Sequence, residues 1–190
     1  LWAFGQPTGG GGQYGAPDPT SGYTGNNVYG YNLNGDYENN IPEMHLTSNA
    51  IDCTGMTNVQ LNFRRWLGVE RPVYDHAYVR VSNDGSSWTT VWENSGEVTD
   101  AFWSEMNLDI SAVANNQPTV YLRWVMGSTD VGWRYCGWNI DDVLVTAFIC
   151  EDTQEIPTLS EWGMVVLALL ILAVGTVAVI RRRRAVVVSK

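Results

Sequence analysis

The chain has 190 residues, of which 45% are hydrophobic and nine are Trp; this excludes a disordered polyampholyte and leaves room for one domain with a buried core plus a short appendage. Residues 1–161 hold six Arg, no Lys and all 20 acids, a net −14, whereas residues 181–190 supply five bases. An acidic globule on a basic tail argues against nucleic acid, because phosphate contacts need clustered Lys and Arg, and it suits divalent cations better.

No Met opens the chain, and no charged segment followed by an apolar run precedes Leu1; the expectation is either a removed signal peptide or a piece of a longer protein. The first 43 residues are rich in Gly, Asn, Pro and Tyr, with Gly9 to Gly12 in a row, and read as loop covering a sheet edge. A Gly run can cradle phosphate, but no Gly-Lys-Ser/Thr and no predicted helix follow it, so that function is set aside. Asn34 and Gly35 offer a tight turn.

Between Leu1 and Phe148 no 3.6-residue apolar stripe stands out, while period-two alternation recurs. Val59, Leu61 and Phe63 alternate with polar neighbours, as do Ala77, Val79 and Val81, then Met106, Leu108 and Ile110, then Val120, Leu122, Trp124 and Met126. Asn83, Asp84 and Gly85 supply the positive φ angles of a hairpin turn, and Pro118 leads into a strand. Short strands at this spacing predict an all-β fold, a two-sheet jelly-roll sandwich over residues 1–148.

Asp141 and Asp142 are adjacent in a predicted strand, which sends side chains to opposite faces, so two free carboxylates there are costly without a cation. A bulge at this point lets Ile140 and Val143 both reach the core and turns an Asp toward the N-terminal loops, where Asp18 and Asp36 are available. Such an oxygen-rich edge suits a structural Ca2+; the alternative is an ion pair to Arg123 or Arg134. Asp75 is a weaker ligand candidate, and His76 beside it reads as a surface residue.

No HExxH occurs, only His45 and His76 are present, and nothing places Cys53 beside either, so no catalytic residue is assigned. The many Trp residues either fill the space between sheets or present a platform for a sugar ring. Trp133, Tyr135 and Trp138 lie close together and form the candidate ligand patch.

An acidic linker, residues 149–155, leads to a 19-residue stretch without charge, 162–180. As a helix it is about 28 Å long against a hydrocarbon core of about 30 Å, so it reads as a transmembrane helix. Arg181, Arg182, Arg183 and Arg184 follow and place residues 185–190 in the cytoplasm, with the sandwich outside. In that oxidising compartment Cys53 and Cys136, both within the sandwich, are expected to bridge, leaving Cys150 over.

Ile156, Pro157, Thr158 and Leu159, then Trp162 and Gly163, then the helix and the Arg run together resemble an IPTL-CTERM sorting domain, a relative of the PEP-CTERM signals of Gram-negative bacteria. The resemblance covers residues 156–184. It implies handling by an exosortase-type sorting transpeptidase and delivery to the cell envelope or extracellular surface; a permanent single-pass anchor is the alternative.

LTSNAID at 46–52, YDHAYVRVSNDGSSW at 74–88, Trp103 and GWNIDDVLV at 137–145 resemble the MAM-like jelly-roll modules found beside immune inhibitor A type peptidases, with Cys53 as a departure from the pattern. That resemblance implies a non-catalytic domain and again a structural Ca2+ near the last strand. The expected function is therefore an exported surface protein that binds or displays. The alternatives are a glycan-binding module and an accessory domain of a longer secreted hydrolase.

Overall fold

The computed structural model describes residues 1–149 and Leu169. The chain divides into two units, Leu1–Cys150 and Glu151–Lys190. The predicted transmembrane helix at 162–180 apart from Leu169, the sorting motif and the arginines all lie outside the described residues. Among the described residues no helix is long and apolar enough to cross a membrane.

Within residues 1–149, ten strands and one helical turn follow in order: β1 Trp2–Gly5, β2 Val28–Tyr31, β3 Met44–Thr47, β4 Met56–Val69, β5 Ala77–Ser82, β6 Thr89–Glu93, β7 Val98–Thr99, β8 Ser104–Asp109, α1 Ser111–Ala114, β9 Tyr121–Met126 and β10 Gly137–Ile149. They form two antiparallel sheets, β1-β2-β10-β4 with β7 and β8 both beside β4, and β3-β9-β5-β6. Residues 1–149 thus form an all-β sandwich of two sheets with open edges.

Alternation explains the core. Val59, Leu61, Phe63, Leu67 and Val69 of β4 face Ala77, Val79 and Val81 of β5 and Val120, Leu122, Trp124 and Met126 at β9, all buried. Each large side chain among these contributes about 1.5–3 kcal/mol by leaving water, and truncating Leu61 to Ala costs about 2–5 kcal/mol. The chain reverses between β5 and β6 where expected, but through a longer loop in which Gly85 alone of the three takes a positive φ, 73°; Asp84 Oδ1 accepts from Ser86 and Ser87 N–H, each at 2.7 Å.

Two expectations change here. The first 43 residues do more than cover an edge, because they supply β1 and β2, with β2 paired to β10. Cys53 and Cys136 are both buried and both free, not bridged. Cys53 gives its carbonyl to Met56 N–H at one end of β4, whereas Cys136 Sγ lies where a Cβ on Gly68, at the other end, would approach to 2.8 Å. The length of β4 between them is roughly 40 Å at about 3.3 Å per residue, and a bridge needs Cα atoms within about 7 Å.

Candidate functional site

Strand direction gathers the β2–β3, β4–β5, β6–β7 and β9–β10 loops at one end of the sandwich. Asp75, fully buried, joins three of them. Its Oδ1 accepts from Asp130 N–H at 2.9 Å and its Oδ2 accepts from the Tyr37 hydroxyl in a short hydrogen bond. Asn94, from the fourth loop, donates to the carbonyls of Glu70 (2.9 Å) and Asp75 (3.1 Å) and accepts from Ala77 N–H. Asn40 N–H and the Asn39 side chain complete the weave by donating to carbonyls of Asp130, Val131 and Gly132.

This weave brings the carboxylates of Glu70, Asp75 and Asp130 within 4.8 Å of one another. Glu70 is only 7% exposed. Burial, followed by the charges of Asp75 and Asp130, raises its proton affinity above the ordinary carboxylate range. Burial raises that of Asp75 too, opposed by the hydrogen bonds from Tyr37 and Asp130 N–H. Among the described residues, no Arg or His forms an ion pair with any of the three.

Glu70 and Asp130, together with Arg71, Tyr74, Gly132 and Trp133, line an open cleft of about 330 Å³. Trp133 is 45% exposed and stacks on Tyr14 with ring centroids 4.6 Å apart and planes 9° from parallel. The predicted aromatic patch therefore divides. Tyr135 and Trp138 are buried in the core, Trp138 with its indole N–H on Val125 O at 2.9 Å and Tyr135 with its hydroxyl donating to Glu97 at 2.8 Å. Only Trp133 of the three reaches solvent: Tyr135, in the same loop, turns inward beside Tyr37, and Trp138 enters β10 on its buried face.

The predicted bulge is present: register shifts between Asp141 and Leu144, with Asp142 at φ 48°. Ile140 is buried as expected, but Val143 is 43% exposed, since the extra residue rotates it outward. Both aspartates turn to one N-terminal loop residue: Thr24 N–H donates to Asp141 Oδ2 (3.0 Å) and Thr24 Oγ1 to Asp142 Oδ1 (2.5 Å). Among the described residues neither pairs with an arginine. Arg123 lies over the Trp88 ring at 3.6 Å, and Arg134 donates to Gln13.

Asp18 and Asp36 belong elsewhere. Asp36 is capped by the N–H groups of Gly12 (2.8 Å) and Gln13 (3.1 Å). Asp18, 2% exposed, accepts from Asn139 Nδ2 at 2.7 Å, yet its Oδ2 and Asn139 Oδ1 are buried and receive no hydrogen bond from the described residues. Burial, with a smaller contribution from the Asp36 charge, pushes the Asp18 carboxyl up to about 7. Asn139, missed from sequence because an Asn in a strand reads as a solvent-facing residue, is thus the second half of a paired polar group.

Cys53 is buried, and desolvation pushes its thiol up, the opposite of an activated nucleophile. His76 stacks on Tyr78. Glu70 and Asp130 were also missed: each follows a strand end in a loop, where acids are commonplace, and nothing in the sequence links positions so far apart.

Comparison with known proteins gives one curated relative, Bacillopeptidase F of Bacillus subtilis (strain 168), 27% identical over 146 residues; these are 76% of this chain but 9% of that protein. Among solved structures, the K1 cleaved adhesin domain of Lys-gingipain from Porphyromonas gingivalis W83 aligns over 77% of this chain and 90% of its own, at 17% identity and TM-score 0.45. A carbohydrate-binding module of the β-sandwich superfamily aligns over 70% and 52%, at 14% identity and TM-score 0.44. Residues 156–184 match the model of the IPTL-CTERM motif, so the chain carries that motif beyond its β-sandwich.

Proposed function

We propose that this chain is an exported, non-catalytic surface protein whose sandwich binds or displays and whose C-terminal segment is a sorting signal processed by an exosortase-type transpeptidase. The observation that carries the reading is the IPTL-CTERM match at 156–184, in which the motif precedes an uncharged 19-residue stretch and four consecutive arginines. That stretch is long enough to span a bilayer as a helix, and the arginines hold its far end in the cytoplasm. The strand order β2-β10-β4-β8 facing β3-β9-β5-β6 supports a jelly-roll winding for the displayed domain.

The open cleft beside Trp133 favours a glycan as the ligand, since an exposed indole offers a flat face to a sugar ring. A second reading follows from the 9% coverage of the curated relative: the sandwich serves as an accessory domain of a longer secreted peptidase.

A structural Ca2+ fits the sandwich at Asp18 and Asn139, because two buried oxygens there lack donors, and such oxygens suit a hard cation. Asp36 stands close enough to raise the Asp18 carboxyl by its charge. When bound, the ion neutralises Asp18 and ties the N-terminal loop to β10. Asp141 and Asp142 are not needed, being occupied by Thr24.

The test is the mature C-terminus. The full-length protein is expressed in a host with the sorting enzyme and in one without it, and surface fractions are read by mass spectrometry. The expected surface form ends near Pro157 and lacks Arg181 to Lys190 in the first host only. An intact tail on exported protein in both overturns the processing.

A further inference from the structure

We propose that the slot between the two sheets, beside the β10 bulge, binds a neutral apolar molecule that carries a single carbonyl as hydrogen-bond acceptor. Leu46, Leu122 and Trp124 from one sheet and Val143 and Val145 from the other, with Tyr29 of β2, line a space of about 540 Å³. Trp124 is 3% exposed, and its indole N–H is buried with no acceptor among the described residues. Phe63, which meets it at 88° with ring centroids 5.4 Å apart, has no oxygen or nitrogen to offer. The other buried indole shows the ordinary arrangement, since Trp138 N–H donates to Val125 O at 2.9 Å. Burying a donor without a partner is unfavourable, and the residue that does so here walls a slot large enough to admit one.

The wall selects the ligand. No Asp, Glu, Lys, Arg or His lines the slot, so a charged group entering it loses water and gains no counter-charge. Ser48 and Thr47 are already engaged: Ser48 Oγ donates to Asn49 O at 2.8 Å and accepts from Leu122 N–H at 3.0 Å, and Thr47 Oγ1 accepts from Arg123 Nε at 2.9 Å. A sugar has several hydroxyls to satisfy and meets mostly aliphatic groups, whereas an acyl chain with one carbonyl matches the unpaired indole N–H and the aliphatic wall. Tyr29 and Val143 are both nearly half exposed, and Phe4 packs on Tyr29 with centroids 4.8 Å apart, so the apolar surface runs from the slot out to solvent. The bulge accounts for the space. Pairing of β10 with β4 is interrupted between Asp141 and Leu144, opposite Phe63, which breaks the regular inner layer of side chains at this point.

The probe is methyl hexanoate, titrated into the full chain in lipid nanodiscs with isotope-labelled Trp indoles and followed by NMR. The Trp124 resonance is assigned by its loss in Trp124→Phe. A saturable downfield shift of the Trp124 indole proton is expected as it gains an acceptor, with the Trp133 resonance unmoved. Val143→Phe, at the exposed mouth, fills space the ester needs and weakens the apparent affinity about tenfold. Hexanoate ion and glucose leave the Trp124 resonance in place. The inference is overturned by a Trp124 proton that does not move up to the solubility of the ester, by a shift shared by all the indoles, by an equal shift with hexanoate or glucose, or by undiminished affinity in a Val143→Phe protein that keeps the parent circular dichroism. It stands apart from the sorting reading and from the Trp133 cleft: the C-terminus does not enter the readout, and Trp133 reports its own cleft in the same spectrum.

Discussion

Asn139 Nδ2 donates to Asp18 Oδ1 at 2.7 Å, and the remaining oxygen of each side chain receives no donor from the described residues. The two residues are far apart in sequence and meet because β10 runs behind the N-terminal loop. A proton or a cation between the two free oxygens resolves the pair, and the two differ in what they demand of pH.

The folded Asp18 carboxyl sits at about 7, above its ordinary 3.8. A raised acid contributes its full stability below about pH 4 and loses it as pH climbs through 7, where the folded state must hold a buried charge. In EGTA the change is up to about 4 kcal/mol, from about 1.4 kcal/mol per pH unit. Thermal melts between pH 4 and 8 are expected to fall with rising pH, and Asp18→Asn to flatten the slope. Added Ca2+ raises the midpoint at pH 8 for the parent and not for the variant.

Tyr37 donates to Asp75 and lies 3.4 Å from Glu70 N–H. Tyr37→Phe removes that donor while keeping the ring, leaving a buried carboxylate short of one partner. A loss of about 1–3 kcal/mol is expected in urea unfolding; an unchanged midpoint shows that Asp75 finds another donor.

Both core cysteines are free and buried. Iodoacetamide applied to the native, unreduced protein is expected to leave Cys53 and Cys136 unmodified, and the same reagent in urea without reductant to alkylate both. A mass showing a Cys53–Cys136 peptide pair contradicts the fold near β4.

Trp133→Ala opens the stack on Tyr14 without touching the core. The expected cost to stability is about 1 kcal/mol or less, whereas binding on a glycan array or to intact cells is lost. Retained binding moves the ligand site away from this cleft.

The sheets were readable where one face alternates against the core: the residues of β4, β5 and β9 named by period two are the buried ones. The bulge at Asp141 was readable too, since two adjacent acids cannot both sit in a regular half-buried strand. What each Asp touches was not, because a loop brings Thr24 to them and pattern carries no information about where a Gly-rich segment folds back. β1 and β2 escaped for a similar reason: they are short, flanked by Gly and Asn, and take their order from pairing with β10. The Cys53–Cys136 expectation failed because both residues read as core, and alternation does not say which end of a long strand a core position occupies. Glu70, Asp75 and Asp130 meet only through hydrogen bonds among separate loops, which leave no local trace.

Strand β10 begins at Gly137 beside the carboxylate cleft and finishes at Ile149, paired with Met56, roughly 40 Å further on at about 3.3 Å per residue. Ile149 therefore lies at the pole of the sandwich remote from Trp133. A reporter fused at that residue would stand clear of the cleft and of the loops that frame it.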